Sequence, residues 1–235
     1  MTSIEPSETG PSETGPSETG SSRTTPTRYP ERVSGTNEPE LHRLLDQSRI
    51  GHVGFVSSAG QPVVLPIAIA RDGADVLMHG STGSSWLRRL AEGVPVSLAV
   101  TALDALVVAR SAFESSMRYR SAVLFGSCRP VLDPEQKGRA LNTLTDSLIP
   151  GRVAEVRPFT AKELAATLVL RLVVEDYSIK ISQRWPDDPP EDVQGPAWAG
   201  VLPAQTRYIA AWPAPDLVDG VELPASVRAL LEPPD

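Results

Sequence analysis

The fold of this chain is decided by residues 63–79, which read VVLPIAIARDGADVLMH. Val63 to Ala70 is an apolar run of strand length, and Ala74 to His79 is a second one. Between them stands Asp72-Gly73, a dipeptide that favours the tight turn of a β-hairpin. Ile50 to Ser57 is a further apolar run just before this hairpin. The sequence therefore predicts an antiparallel meander of three strands.

The same patterns continue on both sides of the hairpin. They predict helices from Asn37 or Thr36 to Arg49, around Trp86 to Ala91, from Asp133 onward and over 160–166, and strands over 94–101, 103–109, 119–132 and 167–181. A tight turn is expected between the strands that end at Thr101 and begin at Leu103. Six or seven strands with few helices and short turns indicate a mainly β fold with peripheral helices, an antiparallel barrel that is closed or nearly closed.

Composition divides the chain into three parts. Residues 1–34 contain Pro-Ser-Glu-Thr-Gly three times in succession, and such a repeat has too little apolar surface to offset the entropy of ordering, so a disordered tail is expected. Residues 35–184 form the predicted barrel domain. Residues 185–235 are rich in proline and acidic residues but keep three tryptophans, which predicts an extended arm that packs on the barrel or on a partner subunit. The net charge of −7 lies mainly in the two flanks.

Several classes of protein are excluded at this point. No apolar run approaches the ~20 residues that a membrane-spanning helix needs, and no signal peptide is recognisable, so we expect a cytoplasmic protein without membrane partners. The single cysteine, Cys128, cannot form an internal disulfide, and three histidines at separate places predict no metal cluster. The basic residues form no run, so nucleic acid is not an expected partner.

The stretch from His79 to Arg89 is the first candidate site, because a strand ends in a small hydroxyl-rich loop that leads into a helix. Gly80, Ser81, Ser84 and Ser85 offer backbone and hydroxyl donors beside the positive end of the helix dipole. This arrangement suits a phosphate. An ordinary helix cap at Ser84 or Ser85 explains the same residues.

Two further candidates lie near the barrel strands. Ser116 to Ser121 supplies a guanidinium, a phenol and a hydroxyl at the start of a long strand, which suits either an anion or a plain exposed strand end. His79 is a proton carrier, a heme ligand or a hydrogen-bonding strand end. No nucleophile, zinc or paired-carboxylate motif is present. A bound cofactor therefore explains the chemistry better than side chains alone.

The order of these motifs resembles the flavin-binding split barrels related to pyridoxamine 5'-phosphate oxidase, including the nitroimidazole-resistance-type reductases. The resemblance rests on the strand with Pro66, the Asp-Gly hairpin, His79-Gly80-Ser81, the helix from Ser84, and Tyr119-Arg120-Ser121. It covers about residues 38–182 and continues weakly to Trp198-Ala199-Gly200. It implies a six- to seven-stranded split barrel that binds FMN.

The resemblance also implies a homodimer with the cofactor at the interface. By position, the residues that would contact the isoalloxazine ring and its ribityl chain are Val64, Leu65, Pro66, Ile67 and Ala68. Those near the phosphate or ring would be His79, Gly80, Ser81, Ser84, Ser85, Trp86, Arg120 and Ser121, with Trp198 approaching from the partner subunit. The substrate-binding residues of vitamin B6 oxidation are not matched, so another small molecule is expected.

These features predict an FMN-dependent oxidoreductase that acts on a small molecule. A binding module that holds flavin or heme without turnover is an alternative, and so is a reductase that uses a deazaflavin. His79 is the candidate catalytic residue and would become the first candidate ligand if heme is bound.

Overall fold

A computed structural model describes residues 33–35 and 37–232 of the chain. The strands in this part are β1 (Val33–Gly35), β2 (Ile50–Val56), β3 (Pro62–Asp72), β4 (Asp75–Ser81), β5 (Pro95–Val108), β6 (Ser116–Pro130), β7 (Thr167–Ser182) and β8 (Gly200–Pro203). The helices are α1 (Glu38–Gln47), α2 (Ser85–Ala91), α3 (Pro134–Leu148), α4 (Ala161–Ala166), α5 (Pro190–Val193) and α6 (Ala225–Leu231), with a 3-10 turn at Arg152–Glu155. Among these helices, none has the length and apolar character needed to cross a membrane.

Six of the strands form a closed ring. Their order is β7-β4-β3-β2-β5-β6, and β6 pairs back with β7 to close the ring. Each pair of neighbouring strands in the ring is antiparallel. The short strands β1 and β8 pair antiparallel with β7 and β5, respectively. The predicted fold, a mainly β split barrel with peripheral helices, is confirmed. A closed ring leaves no long strand edge unpaired, which is what protects such a sheet from pairing with other chains.

The hairpin that the sequence predicted forms as expected. Asp72 pairs with Asp75, and Gly73 takes a left-handed conformation with φ of +65°. Glycine adopts this conformation without steric cost. The turn fixes the register of β3 against β4, and therefore decides which residues of both strands face the barrel interior.

The interior of the barrel holds the main hydrophobic core. Alternate residues of the ring strands point inward, and helices α1 and α2 add Leu41, Leu44, Leu45, Leu87 and Leu90 to the same cluster. A second, smaller cluster lies outside the barrel, where α3 packs on β3, β4 and β7. Its buried members are Ala70, Leu77, Val131, Ala140, Leu141, Leu144 and Val169. Helix α3 therefore covers only one side of the barrel.

One prediction in this region is wrong. The expected tight turn between strands 94–101 and 103–109 is absent, and residues 95–108 form the single strand β5. Its register against β6 shifts between Leu103, which pairs with Tyr119, and Ala105, which pairs with Arg118. Asp104 is therefore the extra residue of a β-bulge, which bends the strand without ending it. A polar residue between apolar ones suits a bulge as well as a turn, so composition did not separate the two.

The flanking segments are only partly described. The Pro-Ser-Glu-Thr-Gly repeat and most of the predicted tail lie outside the described residues, whereas Val33 and Ser34 belong to β1. In the C-terminal segment the structure contains α5, β8 and α6, none of which the sequence pattern indicated. The division of the chain at residues 34 and 184 stays a prediction.

Candidate functional site

The side of the barrel opposite α3 presents a largely apolar surface. We call it the open face and define it by residues that alternate outward on β3, β2, β5 and β6, in cross-strand register. They are Val64, Gly54, Ser97 and Phe125 in one row, Pro66, His52, Ala99 and Val123 in the next, and Ala68, Ile50, Thr101 and Ser121 in the third. Val64 and Ile50 are 66% and 57% exposed. An apolar surface of this extent marks a place where a ligand or another protein binds.

The five candidate residues of β3 divide between the two faces of the strand. Val64, Pro66 and Ala68 lie on the open face, while Leu65 and Ile67 point inward and pack in the barrel core. This division follows from the two-residue period of a strand. Only the first three present side chains to a molecule on the open face, so Leu65 and Ile67 offer backbone atoms alone.

The loop between β4 and α2 is tightly folded on itself. The amides of Thr82, Gly83 and Ser84 donate to Ala166 O, Ser81 Oγ and Ser81 O, at 3.0, 3.1 and 3.0 Å. Ser84 occupies the N-cap position of α2, but its hydroxyl makes no cap hydrogen bond. The Ser84 and Ser85 hydroxyls and the first amides of α2 therefore remain as donors in this loop.

Neighbouring residues hold this loop in place. Arg88 donates to Thr82 O at 2.9 Å, and Arg89 pairs with Glu92, so both guanidinium groups have partners within the protein. Trp86 stacks on Phe55 with the ring centroids 6.4 Å apart and packs against the barrel core. A Cβ at Gly80 would lie 2.4 Å from Leu87 Cδ1, so a larger residue there would require the buried Leu87 side chain to shift.

Arg120 and Ser121 point in different directions. Ser121 lies on the open face between Thr101 and Lys180. Arg120 binds the Asp104 carboxylate through Nε and Nη2 and donates to Gln47 Oε1 at 2.7 Å. The hydrogen bonds to Asp104 raise the pKa of Arg120. Its charge is thus already paired within the protein, which was not expected of a phosphate ligand.

His79 lies away from the open face. It sits on the outer side of β4, next to Val169 of β7 and under the cover of α3. A cavity of about 520 Å³ opens beside it, lined by His79, Leu141, Thr145, Val156, Arg157, Phe159, Glu163 and Thr167. The His79 Nδ1 atom is buried and has no hydrogen-bond partner among the described residues. Burial lowers the pKa of His79, so its imidazole is neutral at pH 7.

An ion pair forms part of the wall of this cavity, which we call the His79 cavity. Arg157 contacts the Glu163 carboxylate through both terminal nitrogens, at 2.9 and 2.6 Å. Glu163 also accepts the Thr160 amide at 2.8 Å and so completes the cap of α4. These contacts, led by the one with Arg157, hold the pKa of Glu163 at about 2.

Trp198 stands just before β8, which pairs with residues 105–108 of β5. Its ring lies over Gly200, where an added Cβ would come within 2.8 Å of two ring carbons. The side chain is 64% exposed. In the single chain Trp198 is therefore held beside the barrel but remains available to a ligand or a second subunit.

Several residues that contact Arg120 or line the His79 cavity were not indicated by the sequence. Asp104, Arg157 and Phe159 belong to no motif, and they come near Arg120 or His79 only because distant parts of the chain fold together. Thr160 and Glu163 did carry a signal, since a threonine followed three residues later by glutamate is a capping box. No group of three or more histidine, cysteine or acidic residues is placed to hold a metal ion within the described residues.

A closed antiparallel barrel with an apolar open face, α3 packed on the opposite side, and α1 and α2 contributing to the core is the architecture of the flavin-binding split barrels. The chain belongs to the pyridoxamine 5'-phosphate oxidase family, whose sequence model matches residues 37–181. The predicted family is thereby confirmed. No curated protein matches the sequence.

Three solved structures illustrate how the similarity is distributed. A FAD and heme binding protein from Mycobacterium smegmatis is 49% identical, with a TM-score of 0.79 over 84% of this chain and 96% of that one. The flavocytochrome Anf3 from Azotobacter vinelandii is 32% identical, with a TM-score of 0.80 over 89% and 97%. A putative 5-nitroimidazole antibiotic resistance protein from Bacteroides thetaiotaomicron is 16% identical, with a TM-score of 0.54 over 74% and 91%, and shares the fold alone.

Proposed function

We propose that this chain binds a flavin nucleotide on the open face and acts as a flavin-dependent oxidoreductase on a small molecule. The observation that supports this most is the open face itself, where Val64, Pro66, Ala68 and Ser121 lie in neighbouring rows. An apolar surface that also carries hydroxyl groups suits a cofactor ring with a polar edge. When bound, the flavin would accept two electrons and a proton as a hydride from a reduced donor and pass the electrons to an acceptor.

FAD is the nucleotide that we propose, in place of the FMN expected from the sequence. The reason is that the 49% identical protein binds FAD. FMN and FAD share the ring, the ribityl chain and the first phosphate, so the same residues of the open face serve both. The deazaflavin alternative keeps the same residues and stays a second outcome of the spectrum described below.

The phosphate end of the nucleotide is proposed to lie at Ser84 and Ser85. The serine hydroxyls and the first amides of α2 are the donors left in a loop whose other amides are used. Arg88 would act by fixing the loop through Thr82 O and not by direct contact. Arg120 has no part in this proposal, because Asp104 already neutralises it.

The open face would also be a subunit interface, with the cofactor between two copies of the chain. Its exposed apolar residues, including Val64, Val56 and Ile50, would be covered by a second copy, and Trp198 stands free to reach that copy. Val64→Asp should then give monomers in light scattering. Phe113→Asp, at an even more exposed position between β5 and β6, should leave the dimer intact. The cytoplasmic location expected from the sequence stays a prediction.

The visible spectrum of the purified protein tests the flavin directly. We expect a flavin spectrum and, after denaturation, release of FAD that chromatography separates from FMN.

Ala68→Trp should lower the flavin content at least tenfold by filling the open face, whereas Ala112→Trp in the β5–β6 loop should not. Ser84→Asp with Ser85→Asp should expel the nucleotide by charge repulsion, with Ser58→Asp as the control. Colourless protein that takes up no flavin would contradict the proposal.

A second bound group, heme, is proposed because two relatives above 30% identity are named for it. One is a FAD and heme binding protein and the other a flavocytochrome. The His79 cavity has a histidine in its wall, and burial favours the neutral form of this imidazole, which is the form that binds metals. In this form the protein would pass electrons between a flavin and a heme. A Soret band after reconstitution with hemin is the measurement that decides whether heme is bound.

A further inference from the structure

We propose that the His79 cavity is the heme site of this chain, where the His79 imidazole would bind the iron and Arg157 would pair with a heme carboxylate. This assignment rests on the proposed heme function and says where the group is held. It separates the two cofactors, because the His79 cavity lies on the helix-covered side of the barrel and the open face on the other.

The choice of ligand follows from the small number of histidines. The sequence has three, and each occupies a different environment. His42 lies on α1 with Nε2 3.6 Å from a Glu38 carboxylate oxygen. His52 lies on the open face between Pro66 and Ala99. Only His79 combines a cavity with a buried ring nitrogen that has no partner among the described residues.

The thiol of Cys128 is unsuitable as an iron ligand. Cys128 is buried in the core, where desolvation raises the pKa of its thiol to about 12. A heme thiolate ligand has to be deprotonated, which this environment opposes. His79 has the reverse property, since burial keeps its imidazole in the neutral form that binds metals.

The walls of the His79 cavity fit a heme in chemistry and in size. Leu141, Val156 and Phe159 give it an apolar lining, as a porphyrin ring requires. Its volume of about 520 Å³ falls within the ~300–1,000 Å³ of typical cofactor sites. The residues 156–159 also border a second cavity of about 430 Å³.

Arg157 supplies the charge that heme carboxylates need. Its guanidinium is 66% exposed at the cavity and is bound to Glu163, a carboxylate of the protein itself. A heme carboxylate is the same chemical group, so it can replace Glu163 as the partner of Arg157. Glu163 keeps its contact with the Thr160 amide in that case, so α4 retains its cap.

The test is a hemin titration of the full chain, read by the Soret band and by electron paramagnetic resonance of the ferric iron. We expect His79→Ala to weaken hemin binding at least a hundredfold and to lose the histidine-ligated spectrum, and free imidazole to restore that spectrum. His52→Ala and His42→Ala are the matched controls and should bind hemin as the unaltered chain does. Flavin content and circular dichroism report whether each variant is folded.

Arg157→Ala gives an independent measurement that leaves the barrel core intact. It should weaken hemin binding about tenfold, the usual effect of one lost charge-assisted contact. Arg139→Ala, a similarly exposed arginine on α3 that pairs with Glu135, should have no effect. If His79→Ala does not fold, this pair of variants decides the assignment, since equal hemin affinities for Arg157→Ala and Arg139→Ala would overturn it.

The outcomes separate the site from the function. If the unaltered chain shows no Soret band with hemin, the proposed heme function fails and the site with it. If the band is unchanged in His79→Ala and lost in His52→Ala, heme is bound but on the open face, and only the site assignment fails. Loss in His79→Ala alone supports both.

Discussion

Arg120 and Asp104 form a doubly hydrogen-bonded ion pair across the bulge of β5, with Nε 3.0 Å from Oδ2 and Nη2 2.8 Å from Oδ1. The bulge gives β5 one extra residue at this point, and its carboxylate lies opposite the guanidinium on β6. Gln47 at the end of α1 accepts a third hydrogen bond from the same side chain. Arg120 therefore ties α1, β5 and β6 together.

We predict that Arg120→Ala lowers the free energy of unfolding by about 1–2 kcal/mol, because a partly exposed carboxylate loses its charged partner. The flavin content of the folded protein should stay unchanged. Denaturant unfolding and the visible spectrum measure the two quantities separately. Arg129→Ala, at an exposed position of the same strand, is the control. Loss of flavin at full stability would instead make Arg120 the cofactor ligand that the family resemblance implies.

The elements that could be predicted from the sequence are those that depend on residues close together in the chain. The Asp72-Gly73 turn and the helix starts near Asp133 and Thr160 depend on neighbours within three residues, and each formed where it was predicted. The bulge at Asp104 was missed, because its stabilising partner Arg120 is sixteen residues away on the next strand.

The two candidate sites depend even more on contacts between residues that are far apart in the sequence. The period of β3 already implies that Val64, Pro66 and Ala68 share one face, but not that this face would be left uncovered. That depends on α3, which packs on the opposite side of the barrel through Leu141 and Leu144. The His79 cavity likewise needs residues 156–163 to return to β4, and no spacing in the sequence encodes that contact.

Gly126 is predicted to be a position where no side chain is tolerated. A Cβ built there would lie 1.9 Å from Val173 O in β7, at the register shift that follows Phe125. Backbone atoms on both sides must move to admit it, so Gly126→Ala should cost about 3 kcal/mol or more, as severe overpacking does. Thermal or denaturant unfolding measures this loss.

Gly138→Ala is the matched control for that change. Gly138 lies inside α3 and has no atom within 4 Å of an added Cβ. Alanine is the better helix former, so this variant should be more stable by roughly 0.5–1 kcal/mol. Similar losses in both variants would contradict the close approach of β6 and β7.

The Arg157–Glu163 ion pair predicts a stability that depends on acid pH. The pKa of Glu163 is about 2 in the folded chain and 4.5 as its ordinary value. A carboxylate whose pKa is lowered on folding contributes stability that is fully present above the ordinary value and is lost as pH falls toward the folded value. Unaltered protein should therefore exceed Glu163→Gln in free energy of unfolding by a constant amount above about pH 5.5, and by progressively less between pH 4.5 and pH 2.

Urea unfolding at a series of pH values gives this difference curve. Glu191→Gln, which removes an exposed carboxylate on α5, is the control for the change in net charge. A difference between unaltered protein and Glu163→Gln that does not vary between pH 5.5 and pH 3 would show that Arg157 and Glu163 do not pair in solution.

Asp188 is predicted to anchor the C-terminal segment to the barrel. Its side chain is 1% exposed and accepts from the Arg110 amide at 2.7 Å and from Arg110 Nη1 at 2.9 Å. Arg118 supports the same segment by lying 4.8 Å over the Trp185 ring and donating to Arg184 O at 2.9 Å. Asp188→Ala removes the carboxylate that accepts both hydrogen bonds from Arg110. The Arg110 guanidinium then lacks its charged partner.

Removal of one member of a largely buried ion pair costs about 3 kcal/mol. Because the segment beyond Arg184 is joined to the barrel by few such contacts, we expect Asp188→Ala to release it locally while the barrel stays folded. Limited proteolysis should then cut between residues 185 and 199 at least tenfold faster, with circular dichroism of the barrel unchanged. Asp187→Ala, which alters the exposed neighbouring carboxylate, should be cut at the rate of the unaltered chain. Equal rates for the two variants would mean that β8, paired with β5, is by itself sufficient to hold Trp198 and the rest of the segment in place.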